Sequence, residues 1–137
     1  MLYKVECPTP ANTAKNSPVV TICRVYPGTV TQIWVGFPKG CFGLCHLQVH
    51  HWGWPVWPWS PAHSFHWNDY MFSFADKYPL TAEPYEFKIL TWNFDDFYPH
   101  TPTFMVLVDP ALPEPSQAQI RQVYEDLGVP LAGGPAP

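Results

Sequence analysis

Residues 29–37 read Thr-Val-Thr-Gln-Ile-Trp-Val-Gly-Phe. In the second half of this segment, apolar side chains recur at every second position. Ile33, Val35 and Phe37 share one face of an extended chain, whereas Trp34 lies on the other. Because successive side chains of a β-strand point to opposite faces, this period of two predicts a strand with one buried face. A Pro-Gly pair precedes the segment and a Pro-Lys-Gly turn follows it, so both ends of the strand are marked.

Strand-like segments of this kind recur along most of the chain. Separated by turn residues, they cover 19–25, 29–37, 43–52, 64–74, 84–93 and 101–108. In the third segment Cys45, Leu47 and Val49 face one way, and we expect the fourth segment to break at Asn68-Asp69. Six or seven short strands with a turn about every 8–12 residues are typical of an antiparallel β-sandwich or jelly roll. The sequence therefore predicts an all-β domain over residues 19–110.

The two ends of the chain predict an arm and a short helix. Residues 1–18 are rich in Pro and Asn and predict an extended N-terminal arm. Within residues 111–137, Ser116 and Gln119 form a capping box, and Gly128 marks a helix end. The apolar residues of this helix lie at helical spacing, namely Ile120, Val123, Tyr124 and Leu127.

Two roles remain open for the C-terminal helix. We expect it to cover a sheet edge or an end of the sandwich, and the alternative is an appended interaction helix. The Pro- and Gly-rich tail 130–137 has no fold of its own, so we expect it to be ordered only by a partner.

The composition excludes several classes of protein. Of the 137 residues, 13% are charged, 17% are aromatic and 18 are Pro, whereas an average chain is about 25% charged. The aromatic content excludes ordinary disorder, and the scattered Pro excludes a helical bundle. The net charge of −4 argues against a nucleic-acid partner. No apolar run predicts a membrane span, and the first residues do not have the pattern of a Sec signal, so we expect neither a membrane partner nor secretion.

The shortage of charge belongs mainly to residues 40–68, which contain no Asp, Glu, Lys or Arg. This stretch holds five of the six His and five of the seven Trp, and its centre, 52–61, reads Trp-Gly-Trp-Pro-Val-Trp-Pro-Trp-Ser-Pro. Pro at every third position removes backbone donors, which predicts an extended surface loop rather than a helix or a central strand. A surface loop with four Trp is the strongest feature of the sequence.

An interface is the first interpretation of this Trp-rich loop. Four exposed Trp would present about 600–1,000 Å², more than the roughly 300–600 Å² patch of a typical monomer. We expect burial against a neighbouring subunit through Trp52, Trp54, Val56, Trp57, Trp59, His50, His51, His63 and His66. Alanine at Trp57 and Trp59 should then abolish assembly without unfolding the monomer. The alternatives are folding of the loop onto its own domain and stacking of the Trp rings on a sugar.

Histidine and cysteine patterns give a weak metal signal. His46 and His50 on one strand would lie about 13 Å apart, too far to share a metal ion. A small metalloprotein using His46, His50, His63, His66 or His100 stays a third interpretation, and we expect no metal and no cofactor. The cysteines are predicted to be free, buried thiols, namely Cys7, Cys23, Cys41 and Cys45.

Catalytic signatures are equally weak. Asp95-Asp96 are adjacent carboxylates in a turn, and such residues more often bond to turn N–H groups than act as an acid–base pair. The sequence contains no nucleophile elbow, P-loop or dinucleotide-binding glycine motif. We therefore expect no enzyme activity and name no catalytic residues.

Three segments carry a resemblance to a known kind of protein. They are Phe37-Pro-Lys-Gly-Cys-Phe-Gly-Leu-Cys-His-Leu-Gln-Val49, Pro84-Tyr-Glu-Phe-Lys-Ile-Leu-Thr-Trp-Asn-Phe-Asp-Asp96, and 99–110. Together they resemble small β-sandwich virion proteins of tailed phages, of the head-decoration type. The resemblance implies a virion role, a location in the host cytoplasm during assembly, and no catalytic residues.

We accordingly expect a structural virion protein, a decoration or stabilising component of a capsid. Its expected partners are copies of itself, for example as a trimer, and the larger capsid assembly. The alternative is a carbohydrate-binding module that uses the Trp residues as a stacking platform, with a glycan as its partner.

Overall fold

Nine strands and one helix form the part of the chain that the computed structural model describes, residues 1–111 and 117–128. The strands are β1 (Leu2–Glu6), β2 (Val19–Arg24), β3 (Gly28–Phe37), β4 (Cys45–His51), β5 (Trp54–Trp57), β6 (Phe65–His66), β7 (Tyr70–Leu80), β8 (Glu86–Asn93) and β9 (Thr103–Pro110). The helix is α1 (Gln117–Leu127).

Two antiparallel sheets account for all of these strands. The first has the order β1-β9-β3-β7, and the second has the order β2-β8-β4-β5, with β6 also pairing with β4. The predicted all-β sandwich is thereby confirmed, and each strand pair in it is antiparallel.

The core lies between the sheets and follows the alternation of the sequence. In β3, Ile33, Val35 and Phe37 are buried, as the period of two predicted. From the opposite sheet, Phe87 meets Phe104 with their ring centroids 6.2 Å apart and nearly perpendicular. Edge-to-face pairs of this kind add to the stability that burial of the rings provides.

The N-terminal residues differ from the predicted arm, because 2–6 form β1 and pair with β9 along its length. Tyr3 and Val5 are half-buried, whereas the residues beside them are exposed. This short alternation precedes the first Pro, and the Pro-rich composition of the following residues obscured it. The expectation of a separate arm over 1–18 is therefore corrected: its first part is a strand of the sandwich.

The Trp-rich segment, predicted to be an extended surface loop, contains a short strand. β5 includes Pro55 and pairs with β4 at the edge of the second sheet. An edge strand tolerates Pro because one side of its backbone needs no partner. The predicted break at Asn68-Asp69 is confirmed, since Asp69 has φ of 48° and separates β6 from β7.

Helix α1 begins and ends close to its predicted limits. Gly128 follows it with φ of 71°, the left-handed conformation of a C-terminal cap. Ser116 of the predicted capping box and the tail 130–137 lie outside the described residues. Val123, Tyr124 and Leu127 are exposed, so these side chains do not cover a sheet as expected. No helix in the described residues is long and apolar enough to span a membrane.

All four cysteines are buried in the core as free thiols, which confirms their prediction. Burial raises the pKa of Cys7, Cys23 and Cys41 to about 11 and that of Cys45 to about 12. At neutral pH these groups are therefore protonated, and the thiolate that reacts with electrophiles is scarce.

Thiol reactivity gives a direct measurement of this burial. In the native protein, we expect Ellman's reagent to label none of the four cysteines within minutes, because each is both buried and protonated. In guanidinium chloride all four should react. Rapid stoichiometric labelling of any thiol in the native state would contradict the placement of the cysteines.

Candidate functional site

The structure divides the predicted interface loop into a buried part and an exposed part. Trp57 and Val56 are 3% and 2% exposed. Trp57 packs with its ring centroid 5.0 Å from that of Phe87, and its indole N–H donates to Asp76 Oδ2 at 2.8 Å. The expectation that Trp57 and Val56 lie on an exposed surface is corrected. Val56 lies at a register shift in the pairing of β5 with β4, and both side chains belong to the hydrophobic core.

The side chains of His51 and His50 form hydrogen bonds within the domain rather than an exposed interface. The buried His51 ring lies between Tyr78 Oη at 2.6 Å and the Pro84 carbonyl at 3.1 Å. Because a carbonyl only accepts, Nε2–H donates to Pro84 and Nδ1 accepts from the Tyr78 hydroxyl. The expectation that His51 lies on an exposed surface is therefore corrected, because the residue is buried. The half-buried His50 bonds to Gln48 Oε1 at 2.7 Å.

Gln48 holds the remainder of the loop against β4. Its Nε2 donates to the carbonyls of Pro61 and His63, at 3.2 and 3.0 Å. Segment 58–64 thus crosses the outer side of β4. His63 and His66 are exposed, and so are Trp52, Trp54 and Trp59, each by more than 60%. These exposed residues do not form one platform, because Trp52 lies at one end of β4 and His66 pairs near the other.

A second set of exposed aromatic residues gathers at the end of the sandwich where β4 begins. It lies on the three loops 38–44, 67–69 and 94–100 and on the first residue of β7, and we call it the aromatic end. Its members are Phe42, Trp67, Tyr70, Phe94, Phe97 and Tyr98, and each is at least half exposed.

Backbone hydrogen bonds hold these loops beside one another. Gly43 N donates to the Trp67 carbonyl at 3.3 Å, and Phe94 N donates to the Leu44 carbonyl at 2.9 Å. Asn68 Oδ1 accepts from the backbone N–H of Phe42 at 3.1 Å. A groove of about 550 Å³ opens between the loops, lined by Phe42, Gly43, His66, Trp67 and Asn68.

The turn after β8 directs two aromatic rings outwards. Asp95 accepts from the backbone N–H of Phe97 at 2.9 Å and of Tyr98 at 3.2 Å, and from His100 Nε2 at 2.8 Å. The predicted turn-capping role is confirmed for Asp95. The N–H of Phe97 and the His100 side chain hold the pKa of Asp95 below its usual value. With their backbone fixed in this way, Phe97 and Tyr98 are 82% and 68% exposed.

Sequence reasoning missed most of the aromatic end. It identified His66 and examined Asp95-Asp96, but not the aromatic residues on either side of them. A signal was present in 93–100, which reads Asn-Phe-Asp-Asp-Phe-Tyr-Pro-His. Three aromatic residues in a turn have no neighbouring strand face in which to bury, so such a segment indicates exposed rings.

His46 lies behind the aromatic end in a stack of rings. Its ring is parallel to Trp92 with centroids 5.5 Å apart, and it lies 4.4 Å from His66. Its Nδ1 is 2.8 Å from Ser64 Oγ. Burial of the ring, and then the neighbouring His66 and Lys15, lowers the pKa of His46 to about 4.

The low pKa of His46 predicts a loss of stability on acidification. Between about pH 6.5 and pH 4 the unfolded chain binds a proton that the folded chain does not, so stability falls as the pH falls through this range. We expect His46 to account for about 1–2 kcal/mol, less than the full shift implies, because solvent screens a half-buried ring. Urea unfolding at pH 7 and pH 4.5 measures the difference. The His46→Gln variant should lose that part of the pH dependence, and an unchanged slope would contradict the assignment.

No group of three or more His, Cys, Asp or Glu within residues 1–111 and 117–128 is arranged to hold a metal ion. His100, one of the candidate ligands, is buried against Asp95 instead. Comparison with known proteins adds no assignment, since no protein-family model, curated protein or solved structure matches the chain. The function is therefore argued from the chemistry of the aromatic end.

Proposed function

We propose that this protein is a structural subunit that joins a larger protein assembly through its aromatic end. The observation that carries the proposal is the exposure of the six aromatic side chains of the aromatic end. Aromatic residues are enriched at protein interfaces, and Trp and Tyr are frequent among the few residues that dominate the binding energy.

The size of the aromatic end supports an interface rather than an ordinary surface. At about 150–250 Å² for a whole aromatic side chain, the six exposed rings present on the order of 600–900 Å². A typical monomer exposes about 300–600 Å² in its largest apolar patch. The exposed charged side chains on the same loops are Lys39, Asp69 and Asp96, and they would form the polar rim of an interface.

The loops are already fixed in the free chain. Asp95 and Asn68 each accept two backbone N–H groups at the base of the exposed rings. Association therefore orders few additional residues, and a larger part of the burial energy remains as affinity.

The partner we propose for the aromatic end is a second copy of this chain. Six neutral rings with few charges complement an identical surface, and symmetric contacts of this kind are the commonest in soluble oligomers. Sedimentation equilibrium of the purified protein should give a mass above that of one chain, and the mass should decrease on dilution. A monomer mass up to millimolar concentration would contradict self-association.

The larger assembly that we propose is a virus particle. Phe42 and Phe94 of the aromatic end lie in segments that resemble tailed-phage virion proteins, and this resemblance supports the choice. The position of the gene provides a test. Neighbouring genes for head or tail proteins are the expected result, and a location among metabolic genes would contradict a virion role.

A further inference from the structure

A second, smaller groove lies at the opposite end of β4 from the aromatic end. It has a volume of about 240 Å³ and lies between the β4–β5 turn and the start of β8. The residues that line it include His50, His51, Trp52, Pro84, Glu86 and Lys88. It combines one exposed ring, Trp52, with the charged side chains of Glu86 and Lys88.

Trp52 occupies an unfavourable backbone position at this groove. It has φ of 58° and Gly53 has φ of 74°, so both central residues of the turn are left-handed. Such a two-residue hairpin turn favours Asn or Asp at its first central position, and a bulky side chain there is uncommon. Strained backbone of this kind clusters at functional sites.

The Trp52 ring is supported on one side and open to solvent elsewhere. Its centroid is 6.5 Å from that of His51 at an interplanar angle of 75°, and 64% of the residue is exposed. His51 is itself held by Tyr78 and by the Pro84 carbonyl. This contact with His51 leaves nearly two-thirds of Trp52 open to solvent.

Charged groups of both signs stand beside this ring. Glu86 and Lys88 lie two apart on β8, and Lys88 pairs in register with His50 of β4. Arg24 Nε lies 3.5 Å from Glu86 Oε2 and orients that carboxylate. The groove thus offers a hydrogen-bond acceptor at Glu86 and a donor at Lys88.

We propose that this groove binds a saccharide ring. The face of a pyranose carries C–H groups that stack on the electron-rich face of an indole, here Trp52. A sugar hydroxyl both donates and accepts, so Glu86 can accept from one hydroxyl while Lys88 donates to another. A phosphate or carboxylate ligand could pair with Lys88 but, unlike a sugar, it would leave the Trp52 ring and the Glu86 acceptor unused. This site is separate from the aromatic end and does not depend on the proposed function.

The test compares two tryptophans of the same hairpin. Trp54 is as exposed as Trp52, at 69%, but does not line the groove. The probes are methyl glucoside, methyl galactoside, N-acetylglucosamine and their short β-linked oligomers, observed by saturation-transfer NMR and by quenching of Trp fluorescence. At least one probe should bind to the wild type, with Kd on the order of 0.1–5 mM for so small a groove.

Trp52→Asn should weaken binding by about tenfold or more, which corresponds to losing one stacking contact. This variant should fold with an equal or higher Tm, because Asn is favoured at its position in the turn. Trp54→Asn should bind within about twofold of the wild type, and Glu86→Gln should bind several-fold more weakly. The proposal would be overturned if no probe bound at 10 mM, which is about the upper limit for weak ligands. It would also be overturned if the two Trp variants weakened binding equally.

Discussion

Replacing Trp57 with alanine is expected to destabilise the fold by about 3–5 kcal/mol, the cost of removing a large aromatic side chain from a core. Trp57 is 3% exposed, and its ring packs against Phe87, Phe104 and Tyr78. Its N–H also donates to Asp76 Oδ2, so the variant loses a hydrogen bond to a charged group. Urea unfolding followed by circular dichroism measures the loss.

Trp59→Ala is the matched control for this prediction. Trp59 lies two residues away and is 67% exposed, so its replacement should change stability by less than about 0.5 kcal/mol. The sequence led us to expect that alanine at both positions would leave the monomer folded. The structure instead predicts that only the replacement of Trp57 destabilises it strongly. Equal destabilisation by the two variants would contradict the burial of Trp57.

Serine at both Phe42 and Phe97 is expected to abolish self-association while leaving the monomer folded. The two rings are 76% and 82% exposed, so their loss removes little from the core. At an interface, each aromatic hot spot contributes about 2 kcal/mol or more, which predicts an association constant lower by a factor on the order of 10³ for the pair. Sedimentation equilibrium should show the mass of one chain.

Trp54→Ser with Trp59→Ser provides the comparison for the Phe42 and Phe97 variant. These two tryptophans are similarly exposed but belong to the Trp-rich segment rather than to the aromatic end. Their removal should leave the mass of the wild type. If this control dissociates the oligomer and the Phe42 and Phe97 variant does not, the interface lies on the Trp-rich segment.

Local alternation was sufficient to predict most of the sandwich. Buried hydrophobic side chains alternate over short stretches of three strands, so a local pattern already predicts their inward faces. They are Ile33, Val35 and Phe37 in β3, Cys45, Leu47 and Val49 in β4, and Phe87 and Ile89 in β8. β1 and β5 were missed because Pro dominates their surroundings. Their formation depends on pairing with β9 and β4, which are distant in sequence or offset by a register shift, and no short window contains that information.

The functional surface was harder to predict for the same reason. Trp57 and Trp59 are two residues apart and both adjoin Pro58, yet Trp57, the last residue of β5, is buried, whereas Trp59, beyond the end of the strand, is exposed. The aromatic end brings together three loops that are about 25 residues apart along the chain. Hydrogen bonds between Gly43 and Trp67 and between Leu44 and Phe94 join them, and these contacts have no local signature.

Oxidative footprinting of the wild-type protein, before and after dilution, is the most direct test of whether copies of the chain associate through the aromatic end. It reports which aromatic side chains are covered, independently of any substitution. We expect Trp67, Phe97 and Tyr98 to become protected on association, whereas Trp54 should be oxidised at the same rate in both states. Protection of Trp54 with unchanged oxidation of Trp67 and Phe97 would contradict association through the aromatic end.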